Sequence, residues 1–177
     1  AGGALGLVNN GTIAATLGAG MVINTTAAVT NNSVLRADGG TLVLQNTALT
    51  QGASGTLNAR NGSVVQLSNA SVTGGSFSSA SGGAVATASG AFGNNLSGVT
   101  NTGTFNLVNN SGIHLTGHFT NNGTVNLQSG GNLTDIAISG ARTIQGNGTI
   151  NLSNTTANRI MGAGAGDTLT LGSGQLL

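Results

Sequence analysis

The sequence predicts an all-β fold, a right-handed parallel β-helix (β-solenoid) of about eight coils, with roughly 20 residues and three short strands in each coil. Three observations predict it. A turn phrase recurs at a nearly constant interval, apolar residues recur at fixed offsets from that phrase, and Gly, Asn, Ser and Thr dominate a composition that disfavours helices. Right-handed coiling is the default for parallel crossover connections. A β-sandwich is the weaker alternative, because it would not keep one phase along the whole chain.

The recurring phrase is a turn that ends in Gly, followed by Thr or Ser and then by alternating apolar residues. It is clearest at residues 102–107, 122–127 and 147–152. If the residue after the turn marks the phase, the markers are positions 12, 41, 63, 84, 104, 124, 149 and 168, and five of the seven intervals are 19 to 22 residues long. Each interval therefore predicts one coil, and the two longer intervals predict coils with small insertions.

Apolar residues at three offsets from the marker predict three strands that stack on their equivalents in the next coil. The first column holds Phe105, Leu107, Val125, Leu127, Ile150, Leu152, Leu169 and Leu171. The other two columns contain the remaining phenylalanines, Phe77, Phe92 and Phe119. Because side chains alternate across a strand, these residues should point inward and form a narrow core.

The outward positions of the first strand predict an ordered surface. One file consists of Thr104, Thr124, Thr149 and Thr168, and the file beside it consists of Asn106, Asn126, Asn151 and Thr170. The favoured interpretation is a ladder whose side chains hydrogen-bond along the stack. The alternative interpretation is a flat Thr/Asn face that binds ice or a carbohydrate.

The composition excludes several classes of partner. Charged residues make up 4% of the 177 residues, as four arginines and three aspartates, so no basic patch exists for nucleic acid or an anionic membrane surface. No run of 18 apolar residues occurs, which predicts no membrane insertion. The lack of Cys removes disulfides, thiolate metal sites and cysteine nucleophiles. The lack of Pro fits a chain in which nearly every backbone N–H is paired.

The candidate catalytic and metal-binding residues are few. Asp38, Asp135 and Asp167 are spread over about six predicted coils and should not converge, so we expect no enzyme and no cofactor. His114 and His118 are four residues apart, but without a nearby carboxylate they are interpreted as exposed surface histidines rather than a metal site. The glycine-rich segment 162–167 lacks the Lys of a phosphate-binding loop and is interpreted as a plain corner.

A resemblance to a group of known proteins adds to this interpretation. The segments Thr120–Leu127 and Gly146–Leu152 resemble the repeats of large secreted bacterial β-helix proteins, such as filamentous-haemagglutinin-like adhesins and autotransporter passengers. The resemblance implies export to the cell surface and a role in adhesion, aggregation or the matrix of a biofilm.

Taken together, the sequence predicts one continuous domain with irregular N-terminal coils at residues 1–40 and regular coils at residues 41–177, as a segment of a longer chain or fibre. The predicted function is a structural or adhesive module of an extracellular or cell-surface bacterial fibre. The predicted partners are further copies, stacked end to end in a filament, and a host or matrix glycan. The alternative is a carbohydrate- or ice-binding solenoid that uses the Thr/Asn face.

Overall fold

The computed structural model describes residues 4–177, which form a parallel β-solenoid with three sheets and no helix. The first sheet contains β1 (Leu7–Asn9), β4 (Val29–Asn31), β7 (Ala48–Gln51), β10 (Ser71–Thr73), β13 (Asn94–Ser97), β16 (Ser111–Leu115), β19 (Thr134–Ile138) and β22 (Asn158–Gly162). The second sheet contains β2 (Thr12–Ala15), β5 (Val34–Asp38), β8 (Thr56–Arg60), β11 (Ser76–Ser79), β14 (Val99–Asn101), β17 (Phe119–Asn121), β20 (Ala141–Gln145) and β23 (Thr168–Leu171). The third sheet contains β3 (Met21–Ile23), β6 (Leu42–Gln45), β9 (Val64–Ser68), β12 (Ala84–Thr87), β15 (Thr104–Val108), β18 (Thr124–Gln128) and β21 (Thr149–Leu152).

Each coil contributes one strand to each sheet, and every strand pairs in parallel with its equivalents in the neighbouring coils. A column of paired residues in the first sheet consists of Val29, Leu49, Val72, Leu96, Leu115 and Ile138, with intervals of 19 to 24 residues. Seven coils have all three strands, and an eighth contributes β22 and β23. The predicted fold class, with three short strands in each coil, is therefore confirmed.

The core is a continuous apolar column between the three sheets. In the second sheet, Leu35, Leu57 and Phe77 lie directly above one another and are fully buried. In the third sheet, Phe105 pairs with Val125, and its ring meets the ring of Phe77 edge to face at a centroid distance of 5.3 Å. The predicted core residues Phe119, Leu107, Leu127 and Ile150 are also buried.

The segment for which the sequence predicts irregular coils, residues 1–40, contributes β1 to β5 to the same three sheets. Ile13 pairs with Leu35 and Met21 pairs with Leu42, in the same parallel arrangement as the later coils. Residues 1–3 lie outside the described residues. The described part of this segment therefore belongs to the same stack as residues 41–177.

The predicted placement of Leu169 and Leu171 above Ile150 and Leu152 is wrong. Strand β23 pairs with β20 in the second sheet, where Leu171 lies beside Ile144. The reason is that the turn phrase does not mark one fixed corner of the solenoid. Residues 7–13 turn from the first sheet into the second, whereas residues 99–105 and 119–125 turn from the second sheet into the third.

Four predicted core residues, Leu152, Leu169, Leu171 and Phe92, are not fully buried. Leu152 and Leu171 are 45% and 37% exposed and Leu169 is half-buried, because no further coil within the described residues covers them. Phe92 is half-buried in the loop before β13, and Leu96 takes its place in the column. The first inward position of β13 is occupied by Asn94. Its buried side-chain amide donates to the backbone oxygens of Ala91 and Gly112.

Candidate functional site

The Thr/Asn face lies on the outer side of the third sheet. Thr104, Thr124 and Thr149 pair in consecutive strands, and the three asparagines two residues further along the strands do the same. Asn126 Nδ2 donates to Asn106 Oδ1 at 2.8 Å, and Asn151 Nδ2 donates to Asn126 Oδ1 at 2.9 Å. These three asparagines therefore form a side-chain ladder along the stack, as the sequence predicts.

The face is shorter than the sequence predicts. Thr168 and Thr170 belong to the second sheet, where they lie beside Ala141 and Thr143, so they do not extend it. In the other direction Ala86 pairs with Asn106 and ends the amide file. The Thr/Asn face thus covers three coils. It ends at Ala86 on one side, and on the other side it ends because Thr168 starts a strand of the second sheet.

A buried amide ladder lies where the first sheet turns into the second, and sequence reasoning missed it. Asn9 Nδ2 donates to Asn31 Oδ1 at 2.7 Å, and Asn31 Nδ2 donates to Gln51 Oε1 at 3.1 Å. Gln51 Nε2 then donates to the backbone oxygen of Gly74 in the following coil. Because Asn31 is fully buried, the ladder satisfies polar groups that no water reaches.

A second buried ladder lies at the corner between the second and third sheets. Asn101 Nδ2 donates to Asn121 Oδ1 at 2.9 Å, and the backbone N–H groups of Gly103 and Gly123 donate to these two asparagines' side-chain oxygens. Gln175 continues the ladder from the last coil. The signal in the sequence was the repeated pattern of an apolar residue, any residue, Asn, any residue and then Gly or Ser.

The outer side of the first sheet carries an ordered file of hydroxyl groups that sequence reasoning also missed. Thr30, Thr50, Thr73 and Ser97 pair in four consecutive strands. These residues lie on the outside of the coil, since the alternate positions Leu49, Val72 and Leu96 are buried. The surface of the solenoid is therefore hydroxyl-rich and amide-rich on more than one side.

Further along the first sheet, a charged pair lies on the outer side. Arg159 Nε and Nη2 donate to the two carboxylate oxygens of Asp135 at 2.8 and 2.7 Å. The hydrogen bonding of Arg159 to the Asp135 carboxylate, which accepts, raises the pKa of Arg159 above its ordinary value. Asp135 is only 8% exposed, which is unusual for a carboxylate that does not face the core.

The charged pair borders a cleft of about 210 Å³. Strands β16, β19 and β22 form its floor, and the loop before β13 contributes the Phe92 side chain to its wall. His114 also lines the cleft and is half-buried, so its prediction as an exposed surface residue is wrong. His118 is exposed.

The other two aspartates are placed elsewhere. Asp38 contacts Arg36 at 3.5 Å and accepts a hydrogen bond from Asn61, near the N-terminal end of the stack. Asp167 accepts hydrogen bonds from the backbone N–H groups of Gly140 and Gly164 at 2.6 Å each, and these lower the pKa of its carboxyl group. Each carboxylate therefore has its own local partners.

Within residues 4–177, no group of three or more His, Cys, Asp or Glu side chains could hold a metal ion. The same residues contain no helix that is long and apolar enough to cross a membrane. Comparison with known proteins gives no family model, no curated protein and no solved structure that matches this chain.

Proposed function

We propose that this chain is a structural and adhesive module of a secreted or cell-surface bacterial fibre, and that copies of it stack end to end through parallel β-ladders. The single observation that carries the proposal is that both ends of the described stack present unpaired strand edges around an apolar cross-section. Edges of this kind pair with another strand unless charge, Pro or a covering element blocks them.

The N-terminal end of the stack is formed by β1, β2 and β3, each of which pairs with a strand on only one side within the described residues. The inward side chains of these strands include Leu7, Ile13 and Met21, which are partly buried and pack against the core. No charged residue precedes Arg36 in the sequence. Within the described residues, this end therefore presents strand edges and apolar side chains without charge.

The C-terminal end presents the complementary surface. Strands β22 and β23 each pair on one side only within residues 4–177. Ile160 and Leu169 are partly buried against the core, and Leu152 and Leu171 are exposed beside them. In the third sheet Leu176 already bridges Thr149 of β21, but β22 and β23 continue the first and second sheets, so β1 and β2 of a second copy can add to them as the next coil does within the chain.

The adhesive part of the proposal rests on the outer surface. It is covered by Thr, Ser and Asn side chains and carries few charges, so it can form many weak hydrogen bonds without selecting one charged partner. The files of Thr30, Thr50 and Thr73, and of Asn106, Asn126 and Asn151, each repeat these groups over three consecutive coils. Stacking of copies multiplies such contacts and so favours binding by avidity.

The test is sedimentation velocity and negative-stain electron microscopy of the purified chain over a range of concentrations. We expect rods of constant width whose length increases with concentration. The variant Leu171→Lys places a charge at the apolar C-terminal end and should leave single particles. Leu133→Lys is the matched control, since Leu133 is similarly exposed at 44% but lies in a loop within the stack.

Two outcomes would overturn the proposal. The first is that the unmodified chain stays as compact single particles at every concentration. The second is that Leu133→Lys blocks assembly as strongly as Leu171→Lys, because association would then depend on general surface charge rather than on the end of the stack.

The second candidate function is ligand binding by the Thr/Asn face, and one observation favours it. The side chains of Asn106, Asn126 and Asn151 are fixed by their mutual hydrogen bonds, with a parallel file of threonines beside them. A fixed array of this kind suits a regular surface such as ice or a polysaccharide. Thermal hysteresis and glycan-array measurements test the two ligands, and null results in both would remove this candidate.

A further inference from the structure

The outer side of the first sheet changes character towards the C-terminal end of the stack. In the earlier coils its outward positions are mostly Ser and Thr, whereas in β16, β19 and β22 two adjacent files of paired residues are different. One file consists of Gly112, Asp135 and Arg159, and the other of His114, Ala137 and Met161. These two files form the floor of the cleft of about 210 Å³.

Phe92 forms an aromatic wall over this floor. It is the one phenylalanine outside the buried core, since Phe77, Phe105 and Phe119 are at most 2% exposed. The absence of a side chain at Gly112 allows this approach, because a Cβ atom there would lie 3.2 Å from Phe92 Cδ1 and 3.2 Å from the Cβ of Asp135. Gly112 in the floor and the Phe92 ring in the wall therefore shape the cleft together.

The polar groups of the cleft are held in fixed positions. Arg159 uses Nε and Nη2 to bind both oxygens of Asp135, so the N–H groups of Nη1 are not used in this pair. The Asp135 carboxylate has further acceptor capacity beyond these two hydrogen bonds. A bidentate pair of this kind is geometrically specific, and the two opposite charges cancel.

The grouping of these residues is unusual for this chain. Only four arginines, three aspartates, two histidines, four phenylalanines and two methionines occur in 177 residues. One residue of each of these five types lines this single cleft. Elsewhere the surface consists largely of Ser, Thr, Asn and Gly, so the cleft is the place where aromatic, charged and imidazole groups converge.

We propose that this cleft binds one ring of a neutral sugar. The apolar face of a pyranose, made of C–H groups, packs on Phe92 and Met161, while its hydroxyl groups donate to Asp135 and accept from Arg159. The volume suits a single ring, since pockets for larger ligands are typically about 300–1,000 Å³. This binding is independent of end-to-end stacking, because the site lies on the side of the solenoid.

The chemistry of the cleft selects a neutral ligand with both apolar and polar faces. An anionic sugar would be attracted by Arg159 but repelled by the Asp135 carboxylate, so the cleft offers no net positive charge to balance it. A purely apolar ligand would cover the charged pair without forming hydrogen bonds to it, which is unfavourable. A hydroxyl-rich ring with one apolar face avoids both costs.

The test is a titration of the ¹⁵N-labelled chain, followed by NMR, with neutral sugars (galactose, glucose, mannose and N-acetylglucosamine) and with charged glucuronate and N-acetylneuraminate. We expect at least one neutral sugar to shift the amide signals of His114, Asp135 and Ala137, with a dissociation constant of about 1–10 mM for a single ring. Glucuronate and N-acetylneuraminate should shift the same signals far less.

Two variants examine the geometry of the cleft. Phe92→Ala removes the aromatic wall outside the core and should weaken binding at least about tenfold while the fold is retained. Ala137→Leu fills the space above the floor of the cleft and keeps every polar group. This variant should abolish binding. Leu133→Ala is the matched control, an exposed apolar residue in the adjacent loop that does not line the cleft, and it should bind like the unmodified chain.

The proposal is overturned if no neutral sugar shifts these signals, or if only the anionic sugars do. It is also overturned if the shifts map to Thr124 and Asn126 on the third sheet, a result that would instead support ligand binding by the Thr/Asn face. Unchanged affinity in both Phe92→Ala and Ala137→Leu would equally contradict it. Loss of end-to-end assembly in Leu171→Lys has no bearing on this titration, so the two proposals fail separately.

Discussion

Gln175 and Asn121 exchange two hydrogen bonds across a complete coil of the solenoid. Gln175 Nε2 donates to the backbone oxygen of Asn121 at 2.8 Å, and Asn121 Nδ2 donates to Gln175 Oε1 at 3.1 Å. The two residues are 54 positions apart, and the coil between them has Gly146 at the corresponding corner. A Cβ atom at Gly146 would overlap the Asn121 backbone oxygen that accepts from Gln175, so the gap left by this glycine keeps the acceptor accessible and the two hydrogen bonds tie the last coil to the stack.

The first prediction concerns this gap. Gly146 has φ = +103°, and a Cβ atom there would overlap the backbone oxygen of Asn121 and the side-chain oxygen of Asn122. We expect Gly146→Ala to lower the free energy of unfolding by about 2–4 kcal/mol, since backbone strain and steric overlap act together. Chemical denaturation measures the total effect, and hydrogen exchange of the Leu176 amide reports detachment of the last coil.

The control for this prediction is Gly131→Ala. Gly131 also has a positive φ, +122°, but a Cβ atom there would meet nothing within 4 Å. This variant should therefore show only the conformational cost, about 1 kcal/mol. Equal destabilisation by the two substitutions would show that the steric gap at Gly146 is not important.

The second prediction concerns the donor groups of the buried ladder. Asn121 Nδ2 donates to the backbone oxygen of Thr149 as well as to Gln175 Oε1. In Asn121→Asp the carboxylate cannot donate, so two half-buried acceptors lose their partner and a charge takes the place of the fully buried Asn121 amide. We expect destabilisation by about 2–4 kcal/mol in thermal or chemical unfolding.

Asn126→Asp is the matched control for the ladder. Asn126 also belongs to an amide ladder, but this ladder lies on the outer side of the third sheet where water can replace a lost donor. The loss there should be below about 1 kcal/mol. If both substitutions were equally costly, burial would not be the origin of the effect.

The sequence contained enough information for the fold because one phrase marks the strands directly. In Thr124-Val125-Asn126-Leu127 the alternation shows which side chains are inward, and the repeat spacing shows which residues stack. The errors arose where that phrase occurs at another corner. Thr12 and Thr168 start strands of the second sheet, because an Asn- or Gly-containing turn forms equally well at any corner.

The cleft could not be predicted from the sequence, because stacking alone creates it. Asp135 and Arg159 are 24 residues apart, and their direct pairing depends on the length of each intervening segment. The interval between paired residues of neighbouring coils varies from 19 to 27 residues, so the file to which an outward residue belongs cannot be read from an average period. The sequence analysis assigned Phe92 to a core column for the same reason. The loop that contains Phe92 shifts the start of β13 by a few residues.

The third prediction compares two phenylalanines. Phe77 is fully buried and its ring packs edge to face against Phe105 at 5.3 Å. Phe77→Ala leaves a cavity in the narrow core, so we expect a loss of about 3–5 kcal/mol. Phe92→Ala should cost about 1 kcal/mol or less, because that ring is half-buried outside the core. Urea denaturation of both variants gives the comparison, and similar losses would contradict the assignment of Phe92 to the outer surface.

The last prediction concerns acid. Backbone N–H groups of Gly140 and Gly164 stabilise the charged form of Asp167 and lower the pKa of its carboxyl group in the folded chain. A lowered folded pKa means that the stabilisation is complete above the unfolded value, about 3.9, and is lost as the pH falls through the folded value. Below that point the loop between β22 and β23 should loosen before the core does.

The amide signals of Gly140 and Gly164, followed by NMR from about pH 6 to pH 2, should titrate with a midpoint below that of an ordinary Asp. In Asp167→Asn this titration should disappear, and a midpoint at or above the ordinary value in the unmodified chain would contradict the role assigned to the two hydrogen bonds.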